Sequence, residues 1–451
     1  MDKGNNFTNR LVIMGAAGRD FHNFNVAYRD DPGSQVIAFT ATQIPEIAGR
    51  RYPPSLAGPR YPEGIPIVEE TALATLCRQE HISQVVFAYS DVDYAHVMHQ
   101  ASIALAAGSD FLLLGPERTM LQAKAPVIAV SAVRTGCGKS QTSRWLSQLL
   151  RKKGLQVAVI RHPMPYGDLA QQAVQRFATP ADLEAAHCTI EEREEYEPHL
   201  AAGNVVYAGI DYAQILAQAE GEADVILWDG GNNDFPFIRP DLHIVLVDPL
   251  RPGSETSHHP GEAVLRMADI IVIAKVNSAS AEDIEQVTAT ARQINPSATL
   301  IQGASQVQLD DPERVRGKRV LVVEDGPTMT HGGMPHGAGY VAATQAQAAE
   351  IVDPRQVAVE KIAAVYAQYP HMGPVLPAVG YHPEQLQALR ETLNAANVDV
   401  VVSATPCDLG ALIELNKPIV RVRYEFAEAE EPGLGHWVET FLREQKLESR
   451  D

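Results

Sequence analysis

Cysteine is scarce in this chain of 451 residues, which carries only Cys77, Cys137, Cys188 and Cys407, none of them spaced as CxxC. A disulfide framework and a structural zinc site are therefore disfavoured, and a reducing cytoplasm is the expected setting. Long hydrophobic runs are missing as well. No stretch approaches the ~20 apolar residues of a membrane span, and the opening MDKGNNFTNR has no apolar signal segment, so secretion is not expected. Positive charge is in deficit, with 37 Lys and Arg against 56 Asp and Glu, a formal charge of -19. Such a field repels polyanions, which argues against nucleic acid and anionic membranes as partners but leaves room for a local basic pocket.

What remains is ordinary globular composition, 45% apolar and 21% charged, in a chain long enough for about three domains. Short apolar runs alternate with helical patterns. They include LVIM at 11–14, VIAFT at 36–40, VVFA at 85–88, FLLL at 111–114, VIAV at 127–130 and VAVI at 157–160. Further runs are VILW at 225–228, IVLV at 244–247, IIVIA at 270–274, VLVV at 320–323 and the segments 398–402 and 419–422. Runs apolar on both faces suit buried parallel strands, so the class is α/β. Three blocks are expected: a Rossmann-like domain at 1–124, a nucleotide-binding domain at 125–324 and an α/β region at 325–451.

The most informative segment is Ser131-Ala132-Val133-Arg134-Thr135-Gly136-Cys137-Gly138-Lys139-Ser140-Gln141, lying between a buried strand and an amphipathic helix. That context is what a phosphate-binding loop requires. In the helix, Trp145, Leu146, Leu149 and Leu150 share a face, and Gly154 follows as a stop. Gly136 and Gly138 let the backbone wrap an oligophosphate, the N–H groups from Thr135 to Gln141 face the anion, and Lys139 reaches its terminal phosphates. The Ser140 hydroxyl is the expected Mg²⁺ ligand. Val133 stands where GxxxxGK[ST] has its first glycine, and Arg134 stands where a variant of the loop carries a lysine. In this the loop resembles the branch that contains dethiobiotin synthetase and the metallochaperone GTPases. Arg134 is a candidate contact to the transferring phosphate.

Asp229 ends a buried strand beside Gly230 and Gly231, which suits a carboxylate that assists Mg²⁺. Lys275-Val276-Asn277 lies where the guanine-reading NKxD of GTPases would be, with Asn277 in place of the aspartate. An amide cannot accept both N–H donors of guanine but can serve adenine, so ATP is expected over GTP. On the acceptor side, Arg161 and His162 close another strand and are expected to face an anionic substrate. The Gly- and His-rich stretch 324–340 offers His331, Gly332 and Gly333 as an anion cradle, and Arg421 and Arg423 alternate on one strand face. Gly15-Ala16-Ala17-Gly18 follows a strand but is not GxGxxG, so a dinucleotide is not expected there. The acidic run 191–197 is read as a solvated helix face.

Taken together, GAAGRDFHNFN, RTGCGKSQ, RHPMPYGDL, WDGGNNDFP, VEDGPTMTHGGMPHGAG and SATPCDLGALIELNKPIVRVRYEF resemble the cyclic 2,3-diphosphoglycerate synthetase family over nearly the whole chain. The resemblance implies an ATP- and Mg²⁺-dependent homodimer that closes 2,3-diphosphoglycerate into an intramolecular phosphoanhydride. Lys139, Arg134, Arg161 and Asp229 would then form its catalytic group. A regulatory or metallochaperone-like GTPase and a non-catalytic ligand sensor are the alternatives. Competition binding checks the base preference: ATP is expected to displace a bound fluorescent nucleotide at lower concentration than GTP, and selective GTP binding overturns the reading of Asn277.

Overall fold

The computed structural model describes residues 9–447 apart from 43, 45, 46, 163, 165, 331 and 380–382. Each apolar run named above falls on a strand. The first sheet has the order Arg51–Tyr52, Ile65–Glu69, Ser34–Ala41, Asn9–Met14, Gln84–Phe87, Asp110–Leu113. All its pairings are parallel except that of Arg51–Tyr52. The chain therefore starts at the centre and winds outward in both directions, as in a doubly wound α/β domain.

Apart from a two-stranded ribbon of Val92–Asp93 and His258–His259, the remaining strands form one continuous sheet through two further lobes. In the central lobe Val127–Ala132 lies between Val225–Asp229 and Leu242–Val247, and every residue of these three strands is buried. The third lobe is built on Arg319–Glu324, which pairs with Val400–Ser403, Glu350–Ile351 and Leu376–Pro377. The two lobes are joined where Thr299–Leu309 meets Ile419–Glu428 antiparallel. Two findings shift the expected block boundaries. Strand 319–324 hydrogen-bonds within the third lobe, and helix Leu434–Glu444 returns to bury Leu434, Val438, Phe441 and Leu442 in the central core. Among the described residues no helix is long and apolar enough to cross a membrane.

The first lobe is fixed to the central one by buried polar contacts. Arg19 donates from Nε to both carboxylate oxygens of Asp234, at 3.0 and 3.2 Å, and from Nη2 to the Phe235 carbonyl at 2.5 Å. The His22 ring stacks on Phe237 with centroids 4.3 Å apart, and burial lowers its pKa to about 3, so the ring is neutral. Arg19 and Asp234 are both nearly inaccessible, and removing one partner of such a pair strands the other charge. Arg19→Met is expected to cost about 3–5 kcal/mol of stability, measured by urea unfolding; an unchanged midpoint would contradict a stabilising role for this contact.

Candidate functional site

A cavity of about 230 Å³ opens over the phosphate loop, and residues of the central and third lobes line it. Its floor is the turn between strand Val127–Ala132 and helix Lys139–Lys152. Gly136 and Gly138 have φ of 83° and 110°, left-handed values that suit glycine. A Cβ on Gly138 would also meet the Gln141 side chain at 2.5 Å. Thr135, Gly136, Gly138, Lys139, Ser140 and Gln141 all line the cavity, whereas the Cys137 thiol is buried behind the loop. Lys139 donates to the Asn232 carbonyl; burial lowers its pKa, and nearby Asp229 favours its charge.

Donors from outside the motif hold the loop's carbonyls. Lys275 donates to the Gly136 carbonyl at 2.6 Å, and Arg251 to the Thr135 carbonyl at 2.8 Å. Both cations rest on Asp248, which ends strand Leu242–Val247 and is fully buried, at 2.8 and 3.1 Å. Arg251 also reaches the Gly332 carbonyl at 2.8 Å. Lys275 thus lies at the loop and lines the cavity, but Asn277 does not. Its amide exchanges two 2.9 Å hydrogen bonds with the Ser305 backbone and is spent on fixing the turn. Arg251 and Asp248 were not singled out in the sequence; an aspartate closing a buried strand was the available signal.

Arg134 also has a partner. Its Nε donates to Asp91 at 2.7 Å, and the same carboxylate accepts the Thr135 N–H at 3.2 Å. Asp91 comes from the first lobe with φ of 60°, so that lobe inserts a carboxylate into the phosphate loop. The glycine turn of the first lobe is closed in a similar way. Asp20 accepts the Ala17 N–H at 2.7 Å and occupies the space above Gly15, where a ligand phosphate would have to approach.

Behind the cavity is a buried cluster. Asp229 is paired with Arg161 at 2.5 Å and hydrogen-bonded to His199 at 3.0 Å. Burial would raise its pKa, but the Arg161 charge prevails and holds the carboxyl well below the usual range. Arg161 lines the cavity and also pairs with Glu195. Asp229 is fully buried, so its approach to the cavity is through Arg161. His162 turns toward Asp234, at 3.5 Å, and does not line the cavity.

The opposite wall is lined by carboxyl groups. Glu194, Glu195, Glu324 and Asp325 all line it, together with Thr328, His336 and Tyr424. The run 191–197 is therefore not a solvated face: Glu191, Glu192, Glu194 and Tyr196 are buried on helix Ile190–Ala201. Ile190, just before that run, and Tyr196 within it were the sequence signal. Backbone N–H groups of the Gly/His-rich stretch do form a cradle, but a protein carboxylate fills it. Glu324 accepts the N–H groups of Gly337, Gly339 and Tyr340 at 2.8–3.1 Å. Burial still pushes the Glu324 pKa up to about 7. Gly332 and Gly333 do not line the cavity, and His331 is outside the described residues. Arg421 pairs with Asp408 at 3.4 Å and Arg423 with Asp310 at 2.6 Å, and neither lines the cavity.

Comparison with known proteins gives four findings. The family described as "Cyclic 2,3-diphosphoglycerate synthetase, P-loop domain" matches residues 199–304. Over 434 residues the chain is 58% identical to a protein named "Arginine synthetase ArcE" from Thermococcus kodakarensis, covering 96% of this chain and 97% of that one. A "Cyclic 2,3-diphosphoglycerate synthetase" from Pyrococcus furiosus is 26% identical over 97 residues, 22% of this chain and 21% of its own. Among solved structures, LpxK from Aquifex aeolicus in complex with ATP aligns with a TM-score of 0.41 at 11% identity, covering 71% of this chain and 90% of that one. Lys139→Ala is expected to lower nucleotide turnover by at least about 100-fold, the scale of losing a preorganised electrostatic contact. Phosphate release checks this, with circular dichroism showing an unchanged fold; an undiminished rate would dismiss the loop as the site.

Proposed function

This chain belongs to the cyclic 2,3-diphosphoglycerate synthetase family, and from that premise we propose that it is an ATP-dependent synthetase building the guanidino group of arginine from a ureido group and ammonia. The observation that carries this reading is the carboxyl lining of the acceptor wall. Four carboxylates line it, Arg161 is already shared by Asp229 and Glu195, and Arg421 and Arg423 point elsewhere. A wall of this kind favours a cationic or N–H-rich substrate over a polyanion, since carboxylates pair with guanidinium and ammonium groups. The extended likeness to a protein named for arginine synthesis supports the same reading.

The chemistry is balanced. The ureido oxygen of citrulline attacks the γ-phosphorus of ATP; the new O–P bond forms as the bond to the β-phosphate oxygen breaks, and ADP leaves with that electron pair. Ammonia then adds to the activated carbon. The C–O bond breaks, and the former ureido oxygen departs within inorganic phosphate, taking one N–H proton. No protein nucleophile is needed. A thiol relay that frees ammonia from an amide is not supported, because burial raises the pKa of both Cys137 and Cys407.

Residues present in the chain fit each task. The loop backbone and Lys139 would hold the triphosphate and stabilise charge on the transferring group. Ser140, with its side chain on the cavity, fits Mg²⁺, which would supply charge neutralisation of the phosphates. Asp229 serves by orienting Arg161 beside that group. Arg144, one turn further along the loop helix, also lines the cavity and is placed to pair with the amino acid's carboxylate.

The same γ-phosphoryl transfer would serve 2,3-diphosphoglycerate, so one assay separates the two acceptors. With ATP, Mg²⁺, ¹⁵N-ammonium and citrulline labelled with ¹⁸O in the ureido group, the expected products are ¹⁵N-arginine, ADP and ¹⁸O-phosphate in equal amounts. Formation of a cyclic phosphoanhydride from 2,3-diphosphoglycerate, seen by phosphorus NMR in the absence of arginine synthesis, overturns the reading.

A further inference from the structure

Arg161 is held from two sides by one helix. Glu195 and His199 stand four positions apart on helix Ile190–Ala201 and so share a face. Glu195 pairs with the guanidinium directly. His199 acts at one remove: its Nε2 lies 3.0 Å from Oδ2 of Asp229, the same oxygen that faces Arg161 Nη1 at 2.5 Å. Asp229 and Arg161 are register partners at the ends of adjacent parallel strands. The direction of the guanidinium in the cavity wall is thus set by two carboxylates, and one of them is held by a histidine that does not itself line the cavity.

The polar chain continues inward. Asn204 Nδ2 reaches His199 Nδ1 at 3.4 Å and the Ser147 hydroxyl at 2.8 Å, and that hydroxyl donates to the Arg144 carbonyl at 2.7 Å. These contacts fix each proton. Ser147 has given its hydrogen to the carbonyl, so its oxygen accepts from the Asn204 amide, and the same amide nitrogen donates to His199 Nδ1. The Asn204 oxygen is left without a partner among the described residues, so the amide is turned by its two acceptors. A hydrogen on Nδ1 would face that donor, so the ring is neutral, as its burial also favours, and its one N–H is on Nε2, aimed at Asp229. Ser147, Asn204, His199 and Asp229 are all buried. Such groups add little stability over an apolar core of the same shape, but a chain with one direction of donation makes a single geometry rigid. One end is the helix that carries Lys139 and Arg144, and the other is the cavity cation Arg161.

We propose that His199 is a positioning residue for phosphoryl transfer: by donating to Asp229 it fixes the Arg161 guanidinium, against the pull of Glu195, beside the transferring group. The inference rests on the γ-phosphoryl transfer in the reading above and on no feature of the acceptor. Without that donor the Asp229 carboxylate is free to rotate and the guanidinium follows it. A shift of about 1 Å at a catalytic contact costs up to about 100-fold in rate. Nucleotide affinity draws on the loop backbone and Lys139, which other contacts hold in place. The turnover rate therefore depends on His199, and the affinity for ATP does not.

Two amides of equal polarity and different reach test the assignment. Glutamine places its N–H₂ near the position of His199 Nε2, whereas asparagine ends near Nδ1 and falls short of Asp229. His199→Asn is expected to lose about 10–100-fold in kcat, read as phosphate release from ATP in the presence of Mg²⁺ and acceptor, with the ATP dissociation constant within about threefold of the unaltered value. His199→Gln is expected to keep kcat within about threefold. In an Arg161→Met background His199→Asn is expected to add no further loss, because its effect travels through that side chain. Equal kcat in the two amide variants, or a full additional loss in the Arg161→Met background, overturns the assignment. Where His199→Asn does not bind ATP, His199→Gln decides alone, since a loss of about tenfold or more in it has the same force. The comparison runs equally with 2,3-diphosphoglycerate as acceptor, so failure of the unaltered protein to make arginine removes the guanidino-forming reading and leaves the role of His199 to be judged on its own result.

Discussion

The phosphate loop depends on an arrangement in which its carbonyls are tied down while its N–H groups stay open to an anion. Buried backbone acceptors need donors, and here the donors come from two cations anchored on one buried carboxylate. Asp248 holds Lys275 and Arg251, which hold the Gly136 and Thr135 carbonyls in turn. The left-handed glycines supply the bend, and this ionic frame keeps it in shape. Arg251 reaches the third lobe through Gly332, and Asp91 reaches the loop from the first. A binding-competent loop therefore requires all three lobes in register.

Much of this was legible in the sequence because it was local. The strand entering the loop, its two special glycines and the amphipathic helix leaving it are encoded within some thirty adjacent residues, and the structure places them as read. Arg134 shows where local reading stops. Its position relative to Gly138 is a property of the loop, but its partner Asp91 is 43 positions away, in another lobe. Asn277 is similar: its side chain was read for the donors and acceptors it could offer a base, and the Ser305 backbone takes both. The anion cradle was expected at His331, Gly332 and Gly333, whereas the N–H groups that converge are those of Gly337, Gly339 and Tyr340, and no local pattern revealed that Glu324 would fill it. Partner identity is decided by tertiary packing, and a single sequence carries little record of that.

Charge distribution ties these corrections to function. A phosphate loop with its lysine says only that a nucleotide is held and that its terminal phosphoryl group can be moved. What receives that group is decided by the facing wall, here supplied by helix Ile190–Ala201 and by the residues just after strand Arg319–Glu324. Were that wall basic, two anionic acceptor phosphates could be held beside the γ-phosphate. With carboxyl groups in its place, three of them raised by burial above the usual carboxylate range and Glu195 paired with Arg161, two such phosphates find no cation on that wall to offset their mutual repulsion. A neutral ureido group followed by an ammonium ion meets no such barrier. On the reading proposed above, one nucleotide-binding frame serves either acceptor class, and a few side chains opposite Lys139 select between the two.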